Sequence, residues 1–441
     1  MNNKPVRQSG SLLGRVPPHL LVAATAWVSR IIIAASGLMI MRILILALGT
    51  EQYALYAVLS GLQGWFMLAD FGLGNSLQNH ISEARAKDSG YDGFVALAVI
   101  GVGIALLVCV GLLMLLAPIL VPKILPGFAG VAAASKVDYF VVAALLFMTT
   151  AVGSLMYRIW YAEQRGYLAN LVPAVASLFS LAGVWWCSVS VQEYRFGWMV
   201  LASFLPAALF PALCLLWRSR RISVLLRDAS LEKGRILLKR GAKFWGYALL
   251  AAAVLQVDYL IMTQLIPAGQ IVIYNITTKF FTIAFMFYSA VLTALWPVCA
   301  EAAAQNDWQT IRKFLSRYLC VGGVFVALLT AVFALFMPQI LSLLAPQANV
   351  TIPVSFILLT GLYIVLRVWC DTYSLVLQSM SYVRPFYLYL PFQAVASGLL
   401  QWFLAVRFGL YGIMLGLIAS FALTAVWALP YFLRKRMLNH A

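Results

Sequence analysis

Charge is what this chain has least of. Only 10% of its 441 residues are charged, and within that small set 14 acidic residues face 31 Lys and Arg. Soluble domains average about 25% charged residues, so a water-soluble globular fold is excluded. Histidine (3) and cysteine (6) are equally sparse. Cys109, Cys187, Cys214, Cys299, Cys320 and Cys370 all lie in or beside apolar runs, with no CxxC and no Cys/His cluster, so neither a metal site nor a disulfide framework is indicated. A GxxxxGK[ST] run, an HExxH pair and a GxSxG elbow are all missing, which removes ATP hydrolysis by the chain itself and two hydrolase classes. Long polar outer segments are lacking too. The longest, about Ile119 to Val137, holds Lys123 and Lys136 but no carboxylate or histidine, leaving acid–base chemistry without residues to run on.

What is present is apolar length: 63% hydrophobic residues and a mean hydropathy of +0.92. The class is an all-α polytopic membrane protein. Helices are expected near 20–48, 53–80, 94–117, 138–162, 168–190, 197–217, 244–266, 271–300, 314–340, 352–376, 386–406 and 411–432. That makes about twelve spans, each near the roughly 20 residues that cross a hydrocarbon core. The formal charge of +17 is a footprint of topology rather than of nucleic-acid binding, because the basic residues cluster in alternate gaps. The outer loops hold Lys123, Lys136, Arg195 and Arg407, and the remainder places both termini in the cytoplasm. The N-terminal run, preceded by Lys4, Arg7 and Arg15, is too long for a signal-peptide core and reads as an uncleaved first span.

The stretch from Trp27 to Asp88 organises the chain. Two apolar runs meet at the turn Leu48-Gly-Thr-Glu-Gln-Tyr53 and carry Arg30, Arg42 and Asp70. A charge at mid-membrane costs a few kcal/mol or more, so these residues must face a bundle interior, a wet cavity or each other. Arg30 and Asp70 lie about 20 residues either side of the turn, hence at similar depth, and are expected to pair. Arg42 has no such partner; it either faces the interior or snorkels to the outer surface. Arg158 is expected to snorkel at the inner end of its span.

The basic segment Arg218 to Lys243 cuts the chain into 1–217 and 244–441. It reads as a topology-setting linker, with Ile222, Leu225 and Leu226 giving it an amphipathic piece on the anionic inner leaflet, where a lipid headgroup site is the alternative. Across it the chain repeats: a shift of 218 places Tyr56 on Tyr274, Leu77 on Leu295, and Glu83-Ala84-Arg85-Ala86 on Glu301-Ala302-Ala303-Ala304. Six spans per half is an even number, so the halves form two parallel-repeat lobes about an axis along the membrane normal. In the second half Asp258 and Lys279 flank the turn near Pro267 and are expected to pair, with Asn275 one turn from Lys279. Arg367 and Asp371, four apart, share a helix face. Arg30, Arg42, Lys279 and Arg367 outnumber Asp70, Asp258 and Asp371 inside the membrane. A basic interior favours an anionic passenger, and Arg suits phosphate oxygens.

Asp70-Phe71-Gly72-Leu73-Gly74-Asn75, the following Ser82-Glu-Ala-Arg-Ala-Lys-Asp88 and the double-six architecture resemble the Wzx-type O-antigen flippases of the MOP (MATE-like) superfamily, a likeness that covers nearly the whole chain. The resemblance implies a non-enzymatic flippase that moves undecaprenyl-pyrophosphate-linked oligosaccharide across the bacterial inner membrane by alternating access. It implies no cofactor beyond a coupling ion, H+ or Na+, with Asp70, Asp258 or Asp371 to bind it. Arg30, Arg42, Lys279 and Arg367, with Asn75 and Asn275, are the residues onto which the family's cationic cavity carries over. Membrane lipid, a polysaccharide polymerase and a chain-length regulator are the implied partners. The alternatives are a multidrug exporter of the same superfamily, which calls for an acidic, aromatic lumen, and a membrane oligosaccharide polymerase or ligase, which calls for a large outer loop.

Overall fold

With so little charge to interrupt them, the apolar runs become helices that satisfy their own backbone hydrogen bonds, as a hydrocarbon environment requires. The computed structural model describes residues 18–128, 130–221, 228–344, 351–380, 382 and 384–438. Lys4, Arg7, Arg15, Ile222, Leu225 and Leu226 lie outside the described residues. In chain order the helices are α1 (Pro18–Gly61), α2 (Gln63–Phe66), α3 (Leu73–Ala86), α4 (Asp92–Ile124), α5 (Ala133–Gly153), α6 (Leu155–Ala162), α7 (Gly166–Ser190) and α8 (Arg195–Arg218). They continue as α9 (Leu231–Leu255), α10 (Val257–Leu265), α11 (Ala268–Ala304), α12 (Trp308–Leu344), α13 (Val354–Ser379), α14 (Arg384–Phe408), α15 (Leu410–Leu423) and α16 (Ala425–Leu438). No strand occurs among the described residues.

Among the described residues eleven helical segments are long and apolar enough to cross a membrane, and the first, Ala24–Asp70, has 47 residues. At 1.5 Å per residue that is about 70 Å, more than twice a hydrocarbon core of about 30 Å. Gly49 accounts for the excess. Its φ of 71° and ψ of −179° are open to glycine and costly for other residues, and here the chain doubles back. The contacts on either side show the reversal. Going back from Thr50, which meets Gly269, the first arm runs up α11 past Lys279 to Met286. Going forward, the second arm runs down from Tyr259 through Gln256 to Trp245 and Gly241. Counted with this reversal, the described residues offer twelve membrane-length arms.

The second half turns at Pro267, 218 positions after Gly49, which is the offset of the sequence repeat. The two turns face one another at one end of the molecule. At the opposite, basic end, α9 starts earlier than the hydrophobic pattern indicated. Ser230 accepts a hydrogen bond from the Lys233 N–H at 3.2 Å and caps the helix. Leu237 and Gly241 are buried, and Ser76 of α3 donates to the Leu237 carbonyl at 2.9 Å. The last part of the basic segment is thus the first turns of the seventh span, made helical by a cap and by tertiary packing.

Candidate functional site: two unlike seams between the halves

Two long seams join the halves. In one, the second span lies along α9 and α10; in the other, the first arm of α1 lies along α11. The repeat makes these seams equivalent in position. Their chemistry differs.

The α9–α10 seam is closed by glycines. A Cβ on Gly61 would stand 2.3 Å from the Tyr259 ring, one on Gly64 2.6 Å from Gln256, and one on Gly72 2.3 Å from the Gly241 carbonyl. No side chain fits in these gaps, so the backbones meet as small residues allow in membrane packing. The conspicuous Asp70-Phe71-Gly72 motif is where the second span breaks. Met67–Asp70 tightens to a 3-10 turn, and Phe71 and Gly72 take left-handed conformations (φ 49° and 71°) before α3 begins. The broken backbone is satisfied from both sides. Asp70 Oδ1 accepts the Gly72 N–H at 2.9 Å, and Trp245 Nε1 donates to the Leu68 carbonyl at 3.0 Å. The seventh span breaks as well, at Gln256 between α9 and α10, and Trp65 Nε1 donates to the Gln256 carbonyl at 3.3 Å. Each half caps the other's break.

These breaks overturn the expected Arg30–Asp70 pair. An unbroken helix would hold Asp70 level with Arg30, whereas the turn at Phe71–Gly72 swings the Asp70 carboxylate back to the N-terminus of α3, a position that favours negative charge. There Asp70 and Arg158 converge over Gly74, at 3.1 and 3.3 Å from where its Cβ would be. The Arg158 atom there is Cγ, so its aliphatic stem packs beside the carboxylate. Asn75 follows in the first turn of α3, partly exposed, with no hydrogen-bond partner among the described residues.

The α1–α11 seam carries two of the four expected cations, Arg30 and Lys279. Arg30 reaches across and donates from Nη1 to the Met286 carbonyl at 3.3 Å, with Trp27 stacked on Phe287 beside it at 5.6 Å. Two turns along the same face of α11, Lys279 lies against Gly37, whose Cβ would stand 3.9 Å from Lys279 Cε. Lys279 is partly exposed and forms no ion pair among the described residues. Its expected partner, Asp258, is occupied elsewhere. The break at Gln256 sets Asp258 in the first turn of α10, 5% exposed, where it accepts the Tyr259 N–H at 2.8 Å and a short hydrogen bond from the Tyr274 hydroxyl. Tyr274 precedes Lys279 by five residues and so points elsewhere around α11. The Asp258–Lys279 pair is therefore not formed.

Beside Asp258, Asn275 bridges the halves: it accepts from the Tyr53 hydroxyl at 2.8 Å and donates to Tyr259 Oη at 2.9 Å. At the same end Gln264 donates to the carbonyls of Lys123 and Ile124 at 2.8 and 3.0 Å. The turn end is laced shut. Tyr53, Tyr259 and Tyr274 were not legible as site residues, because a tyrosine in an apolar run reads equally as an interface anchor.

Arg367 and Asp371 do pair, at 3.1 Å. Arg367 also donates to Tyr363 Oη at 3.2 Å and lies over the Phe285 ring at 5.3 Å. The pair borders a cavity of about 90 Å³ inside the second half, shared with Tyr247, Tyr389 and Gln393. Arg42 stands apart from all of these. It falls on the stripe of α1 that carries exposed Ile31, Met39 and Leu46, seven residues or about 10 Å from the turn, in the position of a snorkelling side chain.

Residues 248–403 match the MatE family. A Yersinia pseudotuberculosis protein named for O-antigen export is 38% identical over 427 residues, 96% of this chain and 97% of that protein. Among solved structures, an inward-facing multidrug resistance MATE transporter of the MOP superfamily superposes with a TM-score of 0.73 at 13% identity, covering 95% of this chain and 98% of that one. The lipid II flippase MurJ in an inward closed conformation gives 0.66 at 12% identity, covering 95% and 89%.

Proposed function

The chain belongs to the O-antigen transporters of the MATE/MOP superfamily, multi-pass membrane proteins and not enzymes, and on that premise we propose that it flips an undecaprenyl-pyrophosphate-linked oligosaccharide across the bacterial inner membrane. The observation that carries this reading is the contrast between the seams. One is packed backbone to backbone through glycines; its counterpart presents Arg30, held by one carbonyl, and Lys279, held by no acid. An unpaired cation inside a membrane is costly and is retained for a ligand that neutralises it. A diphosphate on a lipid matches, with the phosphates drawn to Arg30 and Lys279 and the polyprenyl tail left in the bilayer.

In this proposal the basic end and both termini are cytoplasmic, and residues 1–217 and 244–441 rock as two lobes about the 218–243 segment. Asp258 carries a coupling proton. Its carboxylate is buried with donors from Tyr274 and Tyr259 and no cation within ion-pair distance among the described residues, so any motion that withdraws the Tyr274 hydroxyl leaves a bare charge that binds H+. Asn75 and Asn275 supply neutral contacts to the sugar. A drug-exporting role is disfavoured because organic cations are repelled by Arg30 and Lys279.

The test is complementation. In a strain lacking its own O-antigen transporter, Lys279→Ala and Arg30→Ala are expected to reach the membrane at wild-type level and fail to restore surface polysaccharide. Full restoration by both variants contradicts the proposal.

A further inference from the structure

A second cationic groove lies at the basic end, on the outside of the α9–α10 seam. The first turns of α9 carry four cations, Lys233, Arg235, Lys239 and Arg240. Lys233 pairs with Asp228 and Arg240 with Glu83, each at 2.8 Å, which ties them into the protein. Arg235 and Lys239, one turn apart and exposed, have no acid within 4 Å among the described residues. Beneath them is a groove of about 820 Å³ lined by Leu97 of α4 together with Leu231, Gly234 and Leu238. Leu231 is 96% exposed and Leu238 58%. Two free cations above an apolar trough, at the junction of a membrane helix with its basic loop, match a ligand with an anionic head and a greasy body.

We infer that this groove holds an anionic glycerophospholipid of the inner leaflet, its phosphate between Arg235 and Lys239 and an acyl chain along Leu97, Leu231 and Leu238. Charge complementarity selects the head, since basic side chains at an inner-leaflet surface attract anionic over zwitterionic lipid. The groove is floored by α4 of the first half and α9 of the second, so the lipid bridges both halves on the outside of the glycine-packed seam and stabilises its closed form. This assignment does not depend on which substrate the protein moves.

Gly234 supplies the control. A Cβ there meets only Leu97 side-chain carbons, at 3.9 and 4.0 Å, so Gly234→Phe fills the trough without touching either charge. The full chain is purified in mild detergent with equal phosphatidylglycerol and phosphatidylcholine, and bound lipid is read by native mass spectrometry. Phosphatidylglycerol is expected to be retained at least about tenfold over phosphatidylcholine, with that preference lost in Arg235→Gln/Lys239→Gln and occupancy reduced in Gly234→Phe, both variants eluting as the wild type does. Equal retention of the two lipids, or unchanged retention in both variants, overturns the inference. So does displacement of phosphatidylglycerol by equimolar undecaprenyl phosphate, which assigns the groove to the transported lipid.

Discussion

Trp27 and Trp245 stand 218 positions apart in the chain, and each stacks on a phenylalanine of the opposite half: Trp27 on Phe287 at 5.6 Å and Trp245 on Phe71 at 5.4 Å. The tryptophans share the repeat offset while their partners, Phe71 and Phe287, are 216 apart, so an aromatic stack closes each seam near the basic end with its partner shifted by two positions. Trp245 adds a hydrogen bond to the Leu68 carbonyl; for Trp27 the described contact is the stack alone. The copies have diverged so that one seam is fastened more tightly.

Trp245→Phe removes that hydrogen bond and keeps a ring. Because the Leu68 carbonyl then keeps only the Phe71 N–H at 3.0 Å, destabilisation of about 1 kcal/mol is expected, and Trp245→Ala, which also loses the stack, should cost about 1 kcal/mol more. Melting midpoints of the purified variants in detergent should fall in the order wild type, Phe, Ala. A Phe variant as unstable as Ala would place the effect wholly in packing.

Gly72→Ala meets two obstacles, a φ of +71° and a carbonyl 2.3 Å from the new Cβ. The left-handed conformation alone costs about 1 kcal/mol, and the clash forces α3 and α9 apart. The yield of folded protein should drop severalfold. Gly103→Ala, with nothing within 4 Å, should leave yield unchanged when both are measured by size-exclusion fluorescence.

Arg367 and Asp371 are 22% and 35% exposed, so solvent weakens their attraction and a coupling of about 1 kcal/mol is expected. A double-mutant cycle with Arg367→Gln and Asp371→Asn, read by thermal stability, should show the double variant less destabilised than the two single effects added together. Strict additivity would mean that the pair contributes geometry alone.

Asp258→Asn keeps the shape and hydrogen-bonding capacity around Tyr274 but cannot take up a proton. Transport driven by an imposed pH gradient should be lost while stability changes by under about 1 kcal/mol. Gradient-driven transport at the wild-type rate would remove Asp258 from the coupling step.

The all-helical fold was legible because apolar length is imposed by the bilayer itself. The hairpin turn at Gly49 and the Arg367–Asp371 pair followed from local spacing, since a helix brings i and i+4 together wherever it sits. The pairs reasoned from depth, Arg30 with Asp70 and Lys279 with Asp258, failed for one shared reason. Both aspartates adjoin a helix break, at Phe71–Gly72 and at Gln256, and a break redirects a side chain that helical rise alone would have left in line. Gly72 was the available sign of the first break. Nothing comparable marked Gln256, whose carbonyl is capped by Trp65 from the other half.

The most direct measurement is flipping itself. Purified protein is reconstituted into vesicles containing a fluorescent polyprenyl-diphosphate oligosaccharide, and movement between leaflets is followed by access to a membrane-impermeant quencher. The account predicts flipping by the wild type, retention of most of the rate by Lys279→Arg, and loss of at least about tenfold in Lys279→Gln. A Lys279→Gln variant that flips this lipid as fast as the wild type would contradict the claim that the cationic α1–α11 seam receives the diphosphate.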